Sequence, residues 1–364
     1  MFNYVDLMIA SFIALITTFF LTFPIKKLAI KFQIVDIPNQ RKIHVKPTPL
    51  MGGLAIFLGA VFGLLYIQPQ HEHLFEIALG AIVIIITGIL DDKYDIRPII
   101  KLSGQLIATS FLISSGLIIE RITIPFFGLV DLGVFSVLIT ALWVVGITNA
   151  INLIDGLDGL ATGVSTIALL SMFVMALIDG QIIAAYFAIT IIGANLGFLY
   201  HNFYPAKIYM GDTGSNFLGY MVAVISMLGL FKNIALFSFV IPIIILAVPI
   251  FDTLFAIIRR YKNNQQIMKP DNKHIHYQLL RVGFTHRQSV LIMYGFSSLF
   301  GILAILFSEA SLVVSFIATL VVIILIHILA EIAGLVNGGK RPVVDGVLRF
   351  FKLKKNTRAN EQNE

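Results

Sequence analysis

The sequence predicts an all-α fold, a polytopic integral membrane helix bundle of about eleven transmembrane helices with its N-terminus outside and its C-terminus cytoplasmic. Three observations carry that reading. Of 364 residues, 58% are hydrophobic and only 13% charged, and the mean hydropathy is +0.91; a soluble domain carries ~25% charged residues. Apolar runs near the ~20 residues that cross a hydrocarbon core recur along most of the chain. The basic residues, finally, are confined to alternate loops between those runs.

The runs fall at roughly 5–23, 51–67, 74–90, 99–119, 132–148, 160–178, 182–200, 214–231, 234–258, 289–307 and 311–330. The first has no basic segment before it and is followed by Lys26, Lys27 and Lys31, so it reads as a retained span and not as a cleaved signal peptide. The eighth is short and lacks a sharp start. An odd number of spans places the termini on opposite sides. Lysine and arginine decide which side is which: 24 of the 26 lie in alternate loops, and only Arg121 and Lys232 fall in the others. Positive residues stay cytoplasmic. The net charge of +6 therefore lines an inner leaflet, where anionic lipid attracts it, and no nucleic acid partner is expected.

Between spans 4 and 5, residues 122–133 read as a small hairpin with a turn near Gly128. Residues 1–335 form a single transmembrane domain with cytoplasmic loops. Residues 336–364 form a basic cytoplasmic tail, with a short amphipathic helix around 343–353 before polar, disordered residues. There is no internal repeat and no soluble domain. The absence of cysteine excludes disulfides and thiolate metal sites.

Eight of the 20 acidic residues, Asp91, Asp92, Asp95, Asp155, Asp158, Asp212, Asp252 and Asp271, fall in or beside the cytoplasmic loops. Three of those loops have few or no basic residues to pair with them. Carboxylates gathered at one membrane face suggest a divalent cation and a phosphorylated ligand. The first cluster is GILDDKYDIRP (88–98), at the exit of span 3. One more helical turn makes Asp91 and Asp95 i,i+4 neighbours with Asp92 beside them, and a cation, or Lys93 and Arg97, must then offset their repulsion. The plainer alternative is a solvated helix end.

The second cluster is TNAINLIDGLDGLATG (148–163), where Asn149, Asn152, Asp155 and Asp158 recur every three residues. That spacing places them along one side of a tight helical turn, and Gly156, Gly159 and Gly163 let the backbone approach a ligand. Helix capping alone would use two of the four. The third is MGDTGSNFLG (210–219), with Asp212 where an N-cap belongs and the N–H groups of Thr213, Gly214 and Ser215 facing one point. A helix N-terminus attracts phosphate, and a carboxylate there would hold the phosphate's metal. The fourth is PDNKHIHYQLL (270–280), where an extended stretch points His274 and His276 the same way. Asp252, about two turns before Arg259 and Arg260, is an intramembrane carboxylate and so a functional candidate, or is paired with a polar neighbour near the rim.

Taken in order, VDIPNQRKIHVKPTPLMGGLAIF (35–57) and these four motifs resemble the polyprenyl-phosphate N-acetylhexosamine-1-phosphate transferase family, from about Asp36 to Arg287. The resemblance is nearest to the bacterial undecaprenyl-phosphate N-acetylglucosaminyl-1-phosphate transferases of Gram-positive wall teichoic acid synthesis. It implies transfer of N-acetylglucosamine-1-phosphate from UDP-N-acetylglucosamine to undecaprenyl phosphate at the cytoplasmic face of the cell membrane, with release of UMP and a requirement for Mg²⁺ or Mn²⁺. By motif, Asp212 resembles the main metal ligand, with Asn152 near the metal and diphosphate. Asp91 and Asp92 resemble the pair assigned to the lipid phosphate or metal, and Asp155 and Asp158 resemble substrate-site carboxylates. Lys46, Asn149, His274 and His276 resemble substrate-binding positions. The family usually has a second histidine and an arginine where this chain has Tyr277 and Gln278. A homodimer is compatible with the resemblance.

UDP-MurNAc-pentapeptide and UDP-GalNAc are the alternative donors. A phosphomonoester has its second pKa near ~6, so the lipid phosphate arrives ionised and needs no general base; direct attack on the donor is favoured over an aspartyl-phosphate. A secondary transporter or flippase is the rival class. Transporters place binding groups near the bilayer midplane on broken helices, whereas here the span centres are almost free of charge and the acidic residues crowd one rim.

Overall fold

The computed structural model describes residues 3–37, 47–124, 128–229, 240–265, 273–308, 312–335 and Pro342. The basic tail, the amphipathic helix expected around 343–353, Lys46 and Asp271 lie outside the described residues. In chain order the elements are α1 (Tyr4–Lys31), a ribbon of β1 (Val35–Asp36) and β2 (Thr48–Pro49), α2 (Gly52–Ile67), α3 (Leu74–Tyr94) and α4 (Pro98–Ser114). A hairpin of β3 (Arg121–Ile124) and β4 (Gly128–Asp131) leads to α5 (Phe135–Ile154), α6 (Leu160–Ile178), α7 (Ile182–Asn202) and α8 (Gly211–Gly229). The chain continues through α9 (Val240–Ile245), α10 (Ala247–Lys262), α11 (Ile275–Val282), α12 (His286–Ser308) and α13 (Leu312–Ile332).

Each apolar run contains helix. Seven helices among the described residues, α1, α3, α5, α6, α7, α12 and α13, are long and apolar enough to cross a membrane, and α2 and α4 are shorter apolar helices. The first helix continues well beyond its apolar run: its 28 residues span ~42 Å at 1.5 Å each, so Lys26, Lys27 and Lys31 stay helical. The ninth run is not one helix. It breaks at Leu246, between α9 and α10, because Pro249 has no N–H to donate and its ring crowds the carbonyl four residues back. The expected hairpin is present, Arg121 pairing with Asp131 and Ile124 with Gly128; its tip at 125–127 lies outside the described residues.

Helix α8 is the axis of the bundle. Every residue from Thr213 to Gly229 is buried, with α2, α3, α5, α6 and α7 packed round it. Two crossings are so close that only glycine fits. A Cβ on Gly53 of α2 would sit 2.1 Å from Gly214 Cα, and one on Gly88 of α3 would sit 2.4 Å from Thr213 Cα. The first loop also docks on the start of α8: Tyr209 N–H donates to Pro49 O (2.8 Å), Gly52 N–H to Tyr209 O (3.0 Å) and Gly53 N–H to Met210 O (2.9 Å). These contacts bring the first loop, the start of α2 and the end of α3 to the N-terminus of α8.

Candidate active site

Asp91 and Asp92 close α3, and they face different partners. Asp91 is buried; its Oδ1 accepts from Ile96 N–H at 3.0 Å and its Oδ2 meets Lys101 Nζ of α4. The same ammonium reaches Asp212 Oδ2 at 2.8 Å, and the Asp91 and Asp212 carboxyl groups touch. Asp92 instead accepts from the N–H groups of Asp212 (2.7 Å) and Thr213 (3.2 Å) and from Thr213 Oγ1 (2.6 Å). The expected cap therefore changes hands. Asp92, from another helix, caps α8, and this frees the Asp212 side chain to turn toward Asp91 and Lys101. Asp95 does not join the cluster: it takes the left-handed conformation that ends α3 (φ 47°) and is exposed.

The second motif is likewise not one tight turn. Asn149 and Asn152 lie in α5, which ends at Ile154, and Asp155 is its C-cap. Asn152 Nδ2 donates to Ser215 Oγ (2.8 Å) and its amide also bonds Asp212. Asn149 sits one layer deeper, its Nδ2 donating to Gln105 Oε1 (2.7 Å) and Val145 O (2.8 Å). Gln105 Nε2 donates to Asn216 Oδ1 (3.0 Å), and Asn216 Nδ2 to Asp212 O (2.8 Å). This amide ladder forms the floor under Asp212. Asp155 lies across from it: burial first, and then the charges of Asp212, Asp92 and Asp158, push its carboxyl up to about 8. Asp158 is tied into the scaffold. Its Oδ2 accepts from Ala206 N–H (2.8 Å), its own N–H donates to His286 Nε2 (3.0 Å), and His286 stacks on Tyr204 at 4.4 Å.

The histidine loop closes one side. His274, the N-cap of α11, bonds Asp252 Oδ2 through Nδ1 at 2.9 Å, so the rim pairing expected for Asp252 is a buried one. The His276 ring lies parallel to that of His274, 5.8 Å away, and is fully buried against Gly156. Burial pushes its imidazole down to about 4, against the opposing pull of Asp252. Tyr277 packs at 4.2 Å on His276 and points its hydroxyl toward Gly156. Burial, aided by the Asp155 charge, raises the Tyr277 phenol above its ordinary value.

Lys101, in contact with both Asp91 and Asp212, is the candidate site residue that motif reading missed. Its signal was present, since a lone charge inside an apolar run is itself a functional candidate. Among the described residues, one ammonium stands among the carboxyl groups of Asp91, Asp92, Asp155 and Asp212, so the site gathers more acidic groups than basic ones. Among the described residues no three Asp, Glu or His side chains converge as a ready-made metal cage. Mg²⁺ usually takes one or two carboxylates plus substrate phosphates, a number that Asp212 and Asp91 supply, so the donor set fits that ion.

Carboxylates and, among the described residues, one ammonium gathered at helix ends of an apolar bundle are the arrangement expected of a membrane-embedded enzyme for phosphorylated substrates. Comparison with known proteins narrows the class. A family model, glycosyl transferase family 4, matches residues 74–230. The chain is 46% identical over 350 residues, 96% of its length and 98% of the other's, to a Bacillus subtilis (strain 168) protein named as a probable undecaprenyl-phosphate N-acetylglucosaminyl 1-phosphate transferase. It is 36% identical to the decaprenyl-phosphate N-acetylglucosaminephosphotransferase of Mycobacterium tuberculosis (strain ATCC 25618 / H37Rv), over 79% of each chain. It is 32% identical to the undecaprenyl-phosphate alpha-N-acetylglucosaminyl 1-phosphate transferase of Escherichia coli (strain K12), over 77% of this chain and 78% of that one. The chain belongs to glycosyl transferase family 4.

Proposed function

We propose that this protein transfers N-acetylglucosamine-1-phosphate from UDP-N-acetylglucosamine to undecaprenyl phosphate, releasing UMP, as the first membrane step of a cell-wall glycopolymer such as teichoic acid. The observation that carries the chemistry is the Asp91–Lys101–Asp212 contact at the N-terminus of α8. The choice of sugar and lipid rests on the names of the relatives. An oxygen of the lipid phosphate attacks the sugar-linked phosphorus of the donor, and that phosphorus releases UMP with the bridging oxygen and its electron pair. No proton need move.

The residues mainly position the reactants and balance charge, which is what phosphoryl transfer chiefly demands. Lys101 offsets the negative charge of two carboxylates and the incoming phosphates. Asp92 holds the first turn of α8 so that Asp212 faces the reaction. Asn152 steadies Asp212, and Asn149 supports it from below through Gln105 and Asn216. Asp155 and Asp158 flank the donor side, with Asp158 fixing the wall through Ala206 and His286. His274, His276 and Lys46 engage the nucleotide-sugar. Asp212 and Asp91, with Asn152 beside them, would hold Mg²⁺ or Mn²⁺, which when bound neutralises phosphate oxygens. Residues 1–335 are the catalytic domain and 336–364 the tail, in eleven spans of the cytoplasmic membrane with the site on the cytoplasmic face. The alternation of 24 of 26 basic residues supports that orientation.

Purified full-length protein, incubated with Mg²⁺, undecaprenyl phosphate and each of UDP-GlcNAc, UDP-GalNAc and UDP-MurNAc-pentapeptide, tests the proposal. UMP release and a lipid-linked sugar from UDP-GlcNAc are expected. Turnover of another donor in its place would overturn the substrate, and no UMP from any donor would overturn the reaction.

A further inference from the structure

Asp252 lies far from Asp212 in sequence and belongs to none of the loop motifs. Its side chain is only 2% exposed, on a helix offset from α9 by the break at Leu246. A buried carboxylate in an apolar bundle persists only if its oxygens are satisfied, and here both are taken by the histidine loop. Oδ2 meets His274 Nδ1 at 2.9 Å, and Oδ1 accepts the Ile275 N–H at 2.8 Å. One short side chain thus grips a ring and the backbone immediately after it.

We propose that Asp252 is a positioning residue that fixes the proton of His274 on Nδ1 and docks the histidine loop for the nucleotide-sugar. The proposal rests on the reading that this loop engages the donor. A carboxylate only accepts hydrogen bonds, so the nitrogen facing it carries the proton and Nε2 is the ring's remaining functional edge. The orientation passes along the loop. The His274 ring lies parallel, within 7°, to that of His276, whose two nitrogens have no hydrogen-bond partner among the described residues. His276 Nε2 lies so near the turn after Asp155 that a Cβ on Gly156 would come within 2.2 Å of it. Asp252, His274, His276 and the Asp155–Gly156 turn form one row, which Asp252 anchors to α10 at one end and Asp155, the C-cap of α5, joins to that helix at the other.

Asparagine separates tethering from proton placement. In Asp252→Asn the amide oxygen still accepts from Ile275 N–H, while the amide nitrogen presents hydrogens to His274 Nδ1 and favours the opposite tautomer. In full-length protein with Mg²⁺ and undecaprenyl phosphate, Asp252→Asn should lower kcat/KM for UDP-GlcNAc at least about 30-fold, with the KM for the lipid within about twofold of wild type. Combined with His274→Ala it should cost no more than His274→Ala alone, because both changes remove one function. Histidine ¹⁵N spectra of the wild type should show a protonated Nδ1 that is lost in His274→Ala, and this readout needs no Asp252 variant to fold. Donor kinetics unchanged in Asp252→Asn, additive losses in the double variant, or a bare Nδ1 on His274 would each overturn the proposal while leaving the donor reading intact. Unchanged donor kinetics in His274→Ala would overturn both.

Discussion

At the scale of single residues, the proposed mechanism makes Lys101 and Asp212, in contact at 2.8 Å, the pair whose replacement should cost turnover most directly. Asp212→Asn should fold and insert normally yet lose nearly all activity, because an amide is a poor ligand for a hard cation. UMP release within about threefold of wild type at saturating Mg²⁺ would contradict that, since one direct metal contact is worth several kcal/mol. Lys101→Met should cost at least about 100-fold in kcat, roughly 2.7 kcal/mol, by leaving Asp91 and Asp212 unscreened; a steady-state assay with both substrates saturating reads it. His276 makes a different prediction. Burial holds its imidazole neutral, down to about 4, so the unfolded chain takes up a proton that the fold refuses. Stability is then whole above ~6.5, the unfolded value, and drains away as pH falls toward the folded one. Thermal unfolding of detergent-solubilised protein should show a steeper loss below neutrality than His276→Gln does. The acidic residues and histidines were legible because carboxylates in loops without basic partners stand out against an apolar chain. Lys101 was hidden because a lysine near a span end also reads as a positive-inside marker, and only folding brings it between Asp91 and Asp212.

At the scale of elements, the helix runs were readable from hydropathy alone, and their ends were not. The ends depend on contacts distant in sequence. The motif at 210–219 carries the composition of a self-capped helix start, yet the cap is supplied by Asp92, 120 residues earlier. The threefold spacing from Asn149 to Asp158 suggests one continuous turn, but α5 stops at Ile154 and divides the set into helix and loop. What holds α3 against α8 is the absence of a side chain at Gly88. Gly88→Ala should push α3 from the first turn of α8 and so part Asp91 and Asp92 from Asp212. The expected result is a stably inserted protein with at least tenfold lower kcat and a lowered Tm, the usual outcome of overpacking a tight contact. An unchanged Tm and kcat would show that the crossing has slack.

At the scale of the whole molecule, the charge asymmetry makes a prediction that chemistry at the site does not. Reporters fused at the C-terminus and within residues 264–273 should be cytoplasmic, and one placed at the β3–β4 hairpin should be outside. The reverse result would invert the proposed orientation without touching the reaction. The burial of α8 reaches further, to how the protein is made. A segment that enters the bilayer on its own must be more at home in lipid than in water. This one carries Asp212, Thr213, Ser215 and Asn216 in its first turns and meets neighbouring helices on every side. Its passage into the membrane therefore depends on company: α2, α3, α5, α6 and α7 precede it in synthesis and already offer the surfaces it will touch. The helix that carries Asp212 thus finds its place only after the helices that surround it, and a truncation before α8 would leave an apolar shell with no centre.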